Sequence, residues 1–308
     1  MKKVVITEFM DLPAVQALQA KYNVVYDPAL VDDAPRLAKE VADADAVIVR
    51  NRTQVRGELL AAIAKATVIG RLGVGLDNID VPACEARGMK VIPATGANAL
   101  AVAEYVIGTA MVLLRGVYSS SAEVADGKWP RPRLSNGREV AGKTLGLIGF
   151  GGIGRLTAGL AKGLGLSVVA YDPMIAADSP VWAQTGVACR SLDELLAQSD
   201  VVSLHVPLTP ETRNLISAER VATMKAGAIL INTARGYIAD EAAIADAIRA
   251  GKLGGAAFDV FDPEPLKAGS AWVGCPNVIL TPHVAGVTAE SNERVSTMIA
   301  AEVAKALG

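Results

Sequence analysis

The chain holds only two histidines, His205 and His283, so each is worth weighing as a proton carrier. His283 follows an apolar run in LTPHVAG, and His205 closes another in VVSLHVPLT. Arg235, in ILINTARG, and Glu264, in FDVFDPEP, also stand just past apolar runs. If those runs are strands of one parallel sheet, an arginine, a glutamate and a histidine emerge along one edge and can converge on a pocket. The fork of Arg235 suits a carboxylate with a neighbouring carbonyl. Glu264 beside His283 would favour the imidazolium and poise it to exchange a proton with a substrate oxygen. Each residue taken singly also fits a blander role: a surface arginine, a turn glutamate, a structural histidine.

A second constellation is the run KTLGLIGFGGIG at 143–154, an apolar strand opening into Gly149-x-Gly151-x-x-Gly154 and then a helix. In that context the glycines read as a dinucleotide fingerprint. Gly149 would allow the tight turn, Gly151 would let a pyrophosphate reach the backbone, and Gly154 would bring helix and strand together. Amides at the helix start would hold the phosphates. Asp172, in VVAYDP, ends the next apolar run, where a carboxylate accepts the ribose hydroxyls of NAD and repels the 2′-phosphate of NADP. No Arg or Lys occurs between Pro173 and Cys189 to offset that repulsion, so NAD is the expected cofactor.

The elements that must position these groups follow from apolar patterning. Short β-branched runs alternate with Ala/Leu-rich segments at helical spacing, which predicts an α/β protein with doubly wound parallel sheets. Strands are expected at 4–7, 24–26, 46–49, 68–69 and 91–92 in a first half. In a second half they are expected at 144–148, 168–171, 201–204, 228–231, 256–258 and 278–280. An Ala-rich helix over 98–114 separates the halves, and an amphipathic helix over 289–307 is expected to return to the first. Residues 116–142, polar and rich in Pro and Gly, read as an extended arm or loop.

At 308 residues the prior is two domains. The formal charge is only −2 and aromatics are 4%, which gives no electrostatic or stacking footprint for nucleic acid. No window is long and apolar enough for a membrane span. The cysteines, Cys84, Cys189 and Cys275, form no CxxC pair, so neither a zinc site nor a disulfide framework is expected and the cytoplasm is the default.

Six segments carry a resemblance that covers the chain from end to end: RLGVGLDNID (71–80), GFGGIG (149–154), HVPLTPETRNLI (205–216), NTARG (232–236), AFDVFDPEP (257–265) and TPHVAG (281–286). Together they resemble the D-isomer-specific 2-hydroxyacid dehydrogenases, the family of 3-phosphoglycerate, glycerate and D-lactate dehydrogenases. The resemblance implies a flavodoxin-like substrate domain, 1–98 completed by 288–308, and a Rossmann NAD-binding domain, 99–287. It implies His283 as acid/base, Glu264 as its partner and Arg235 as ligand of the substrate carboxylate. Cofactor contacts would fall at Val74, Gly152, Ile153, Asp172, Val206, Thr233, Ala234, Arg235, Asp259, His283 and Gly286, beside Gly149, Gly151 and Gly154. The loop Leu72, Gly73, Val74, Gly75 would offer amides to the substrate carboxylate. His205 would belong to the cofactor pocket, and the molecule would be a homodimer.

The substrate is narrowed by arginines beyond Arg235. The stretch VRNRTQV (49–55) places Arg50 where phosphoglycerate dehydrogenases have an arginine and adds Arg52. Extra cations suggest a second anion on a small 2-hydroxy acid: phosphate, sulfonate or carboxylate. (S)-Sulfolactate is a candidate, because sulfur outranks the carboxyl and the S form has the spatial arrangement of a D-hydroxy acid. Idle arginines would instead leave a general glyoxylate/hydroxypyruvate reductase. A corepressor that senses NADH on the same fold is a third reading.

Overall fold

A computed structural model describes the whole chain, Met1–Gly308. Two compact units emerge: residues 1–98 with 287–308, and residues 99–286.

The first unit alternates β1 (Lys3–Ile6), α1 (Leu12–Gln19), β2 (Asn23–Tyr26), α2 (Ala34–Val41), β3 (Ala46–Val49), α3 (Gly57–Ala62), β4 (Val68–Arg71), α4 (Val81–Ala86) and β5 (Lys90–Pro93). Its strands are all parallel, in the order β2-β1-β3-β4-β5, the flavodoxin-like winding. β3 is buried at every position because both faces of the sheet are covered. The last helix of the chain, Ala289–Leu307, completes this unit. It buries Val295, Ile299, Val303 and Leu307, one per turn, in the cluster that holds Val4, Ile48 and Val68. Gly70 in β4 lets it come close: a Cβ there would stand 2.9 Å from side-chain carbons of both Ile299 and Val303.

The second unit starts with α5 (Ala99–Arg115), a largely buried alanine-rich helix. Residues 116–142, expected as an extended arm or loop, instead carry a 3₁₀ turn at Tyr118–Ser120, α6 (Ser121–Ala125) and α7 (Arg131–Leu134). None of the three buries a residue, so no apolar periodicity could announce them. Then follow β6 (Thr144–Ile148), α8 (Gly152–Gly163), β7 (Ser167–Tyr171), α9 (Pro180–Thr185), β8 (Ala188–Cys189), α10 (Leu192–Gln198) and β9 (Val201–Leu204). The unit closes with α11 (Ala218–Thr223), β10 (Ala228–Asn232), α12 (Glu241–Arg249), β11 (Leu253–Phe258) and β12 (Val278–Leu280). Counting the terminal helix as α13, the sheet order of this unit is β12-β11-β10-β9-β6-β7-β8, all parallel, a Rossmann winding that reverses between β6 and β9. Ser191 and Asp240 cap α10 and α12 through side-chain bonds to Glu194 N and Ala243 N.

Candidate active site

The chemistry-bearing residues of the second unit follow the carboxyl ends of adjacent strands. Asp172 follows β7, Gly149 β6, His205 β9, Arg235 β10, Asp259 β11 and His283 β12. A parallel sheet sends every such loop out on the same edge, and that edge is where ligands bind.

At one end of the edge, Glu264 Oε2 meets His283 Nδ1 at 2.8 Å, and Glu264 Oε1 accepts Phe261 N at 3.0 Å. Burial alone would push the Glu264 carboxyl up. The hydrogen bond and charge of His283, the Phe261 amide and the charge of Arg235 outweigh it and hold the group below its usual range. Glu264 is therefore an anion at neutral pH. With Nδ1 engaged, Nε2 is the nitrogen His283 can offer to a substrate, and the side chain is 48% exposed. Arg235 stands in extended backbone, its Nη1 donating to Ala234 O at 2.6 Å, while Asn232 Nδ2 holds the Arg235 carbonyl at 2.8 Å.

His283 has φ of 57°, a left-handed conformation that a non-glycine residue adopts only when its surroundings enforce it. Asp259 does so. Its carbonyl accepts His283 N at 2.8 Å. Its buried carboxylate takes Thr281 Oγ1 at 2.6 Å, Val284 N at 2.8 Å and Ala285 N at 2.8 Å. Asp259 thus commits its carboxylate to the turn that carries the histidine. Gly286 ends the unit just beyond it.

The glycine turn has the contacts that such a turn needs. Gly149 has φ of +95°, and a Cβ there would stand 2.5 Å from His205 O. A Cβ on Gly154 would overlap the Gly149 carbonyl. Gly151 and Gly152, in contrast, have no protein atom within 4 Å of a built Cβ. No side chain caps the start of α8, so the first amides of the helix, at Gly152 and Ile153, have no such acceptor. Asp172 accepts Phe150 N at 2.8 Å and Met174 N at 2.9 Å. Thr233 Oγ1 is buried without a partner, Ala234 is buried next to it, and Val206 packs at the margin of the core. Space beside two glycines, an uncapped helix start and an orphaned buried hydroxyl fit a bound dinucleotide. His205 is uncharged at neutral pH, since loss of solvent pulls its pKa down to about 4, and its Nε2 faces Ser203 Oγ at 3.0 Å.

The first unit holds the remaining residues singled out in the sequence. In the loop after β4, Leu72 N is used on Val49 O and Gly73 N on Arg71 O, both at 2.8 Å, leaving Val74 and Gly75 as its free amides. Gly73 has φ of +149°, and a Cβ there would collide with the Arg71 guanidinium. Arg50 lies over the Phe9 ring at 5.5 Å, with Nη2 on Asn292 Oδ1 at 2.9 Å. Arg52 is instead ion-paired with Asp32, both side chains 56% exposed. Sequence reasoning missed Glu8. This buried carboxylate, close behind β1, accepts the amides of Arg50 (2.9 Å), Asn51 (3.3 Å), Arg52 (3.0 Å) and Thr53 (3.0 Å). An acidic residue at the carboxyl end of a buried strand was its only signal.

Residues 107–285 match the family model of the D-isomer specific 2-hydroxyacid dehydrogenase, NAD binding domain. An (S)-sulfolactate dehydrogenase from Chromohalobacter salexigens is 51% identical over 308 residues, covering 100% of this chain and 99% of the relative. A D-3-phosphoglycerate dehydrogenase from Mycobacterium bovis is 42% identical over 276 residues, 89% of this chain, but this chain spans only about half (51%) of that relative. A crystal structure of a Thermus thermophilus protein superposes with a TM-score of 0.87 at 34% identity, covering 97% of this chain and 94% of its own. None of these favours a corepressor.

Proposed function

Because the chain belongs to the D-isomer-specific 2-hydroxyacid dehydrogenases, NAD-dependent oxidoreductases of small 2-hydroxy acids, we propose that its substrate carries a second anion and that (S)-sulfolactate and sulfopyruvate are its physiological pair. The observation that carries the chemistry is the 2.8 Å contact between Glu264 and His283, with the charge of Arg235 acting on the same carboxylate. NAD, when bound, supplies the hydride acceptor or donor at the substrate's C2. Residues Gly149–Gly154, Asp172, Val206, Thr233 and Ala234 would hold it. His283 Nε2 gives a proton to the substrate oxygen in reduction and takes it back in oxidation. Glu264 keeps the ring oriented and offsets its charge. Arg235 binds the substrate carboxylate and orients the oxygen beside it.

We assign the second anion to Arg50, whose guanidinium is already oriented by Phe9 and Asn292 on a loop gripped by Glu8. Asp32 competes for Arg52, which makes it the weaker candidate. Val74 and Gly75 are proposed as amide donors to the substrate. We also propose a homodimer built through the second unit, on the strength of the apolar side chains exposed on 116–137, and a cytoplasmic setting, on the strength of three free cysteines.

The test is NADH oxidation with sulfopyruvate, phosphohydroxypyruvate, oxaloacetate, hydroxypyruvate, glyoxylate and pyruvate. Sulfopyruvate is expected to win by about 100-fold or more in kcat/KM, about 2.7 kcal/mol. Arg50→Ala should raise KM for sulfopyruvate far more than for pyruvate. A win for glyoxylate or hydroxypyruvate would make the enzyme a general reductase with idle arginines.

A further inference from the structure

Glu241 opens α12 and stands outside the acid/base pair. Its carboxylate accepts two hydrogen bonds, from Asp262 N at 3.0 Å on Oε1 and from Trp272 Nε1 at 2.7 Å on Oε2. Burial raises its pKa first, and the charges of Asp262 and Glu264 add to the rise. A carboxylate in such surroundings is costly unless its hydrogen bonds offset the loss of water, so what those bonds hold matters.

They hold the start of the turn that returns Glu264 to His283. The Asp262 amide belongs to the same peptide that packs on Gly236, where an added Cβ would overlap Phe261 and Asp262 backbone atoms. Gly236 directly follows Arg235. One residue before Asp262, the Phe261 amide donates to Glu264 itself. Trp272, the other donor to Glu241, is buried and tilts on Phe258 at 4.7 Å, and Phe258 precedes Asp259. The segments that carry Arg235, Asp259 and Glu264 therefore all adjoin the partners of this one carboxylate.

We propose that Glu241 is a positioning residue for the reaction: by holding Asp262 N–H it fixes the turn from which Glu264 reaches His283. The proposal rests on the reading of Glu264 and His283 as the acid/base pair. The groups that face Glu241 are the carboxylates of Asp262 and Glu264 and the indole N–H of Trp272. Beyond Asp262 lies the Tyr237 hydroxyl, with the Arg213 guanidinium 4.4 Å above the tyrosine ring. The neighbouring Asp240 is turned to its own capping bond with Ala243 N.

Positioning and simple charge predict opposite signs. If the turn loosens, Glu264 loses the His283 contact that holds its carboxyl low, and the acid limb of the pH–rate profile moves to higher pH. If Glu241 acts only as a nearby negative charge, its removal stabilises the Glu264 anion and the limb moves to lower pH.

The experiment measures kcat against pH for 2-oxo acid reduction, together with NADH affinity by fluorescence. The variants are Glu241→Ala, Glu241→Gln, Trp272→Phe and the Glu241→Gln/Trp272→Phe pair. Glu241→Ala is expected to lower kcat by about 10- to 100-fold, to move the acid limb upward, and to leave the NADH Kd within about 2-fold. Glu241→Gln leaves its NH₂ facing one of two donors, so its kcat is also expected to fall, and Trp272→Phe is expected to restore it. That rescue decides the matter if Glu241→Ala does not fold. An unchanged kcat, a downward shift of the limb, or additive losses in the pair would overturn the proposal while an inactive His283→Ala leaves the parent reading standing. An active His283→Ala would overturn both.

Discussion

A histidine whose Nδ1 is fixed by a carboxylate has its tautomer and its direction decided together, and His283 is in that state. The expected consequence of His283→Ala is a fall in kcat of about 100- to 10,000-fold with NADH binding intact, read by steady-state turnover and by cofactor fluorescence. Glu264→Gln should cost less, because the amide oxygen can still accept from the ring while the charge is gone. Its carboxyl is held below the usual range, so the ionised acceptor it offers His283 Nδ1 is complete above that range and is lost only as pH falls through the lowered value. The wild type should therefore keep its turnover down to more acid pH than an unpaired glutamate would allow. A plateau that collapses near the ordinary glutamate pKa of about 4.3 would contradict the assignment.

At the scale of elements, α8 and the loop after β3 give contrasting expectations. Gly154→Ala puts a methyl into the Gly149 carbonyl and should destabilise the second unit by about 1–3 kcal/mol, seen as a lowered Tm. Gly151→Ala meets no protein atom, so Tm should hold while NADH Kd rises about 10-fold or more. Loss of both properties in both variants would refute that division. Glu8→Gln should destabilise the first unit by about 1–3 kcal/mol at neutral pH, because an amide group then faces backbone donors. Burial pushes the Glu8 carboxyl up, but the amides of Thr53, Arg50 and Arg52 bring it below the usual value. Its stabilisation is thus full above the ordinary carboxylate pKa and fades as pH falls through the lowered one, so the Tm gap to Glu8→Gln should narrow in acid.

These elements also mark what was legible beforehand. The buried parallel strand β3 is a continuous apolar run and β9 is broken only by Ser203, and Ser191 and Asp240 announce their helices, so most of both sheets could be read from the chain. The same strand ends disclosed Arg235, Glu264 and His283 as residues that could meet. α9 and β8 were not legible, the strand being only two residues with neither buried. Glu8 and Glu241 escaped because their partners are backbone amides and an indole 21 to 45 residues away, contacts that no local spacing encodes.

For the molecule as a whole, the segment after α5 leaves Trp129 75% and Tyr118 61% exposed, apolar side chains on which the proposed dimer would close. Trp129→Glu is expected to convert a dimer to monomer in sedimentation velocity; a wild type that sediments as a monomer would remove the proposed assembly. The order in which the two units are written into the chain has a further outcome, at the ribosome. The second unit is one unbroken stretch and can close as soon as residue 286 has emerged. The first unit, although its sheet is synthesised earliest, needs the terminal helix to cover β4 at Gly70. The beginning of the nascent chain therefore keeps an uncovered apolar face until the helix at 289–307 has been made, and that interval is when chaperones and aggregation compete for it.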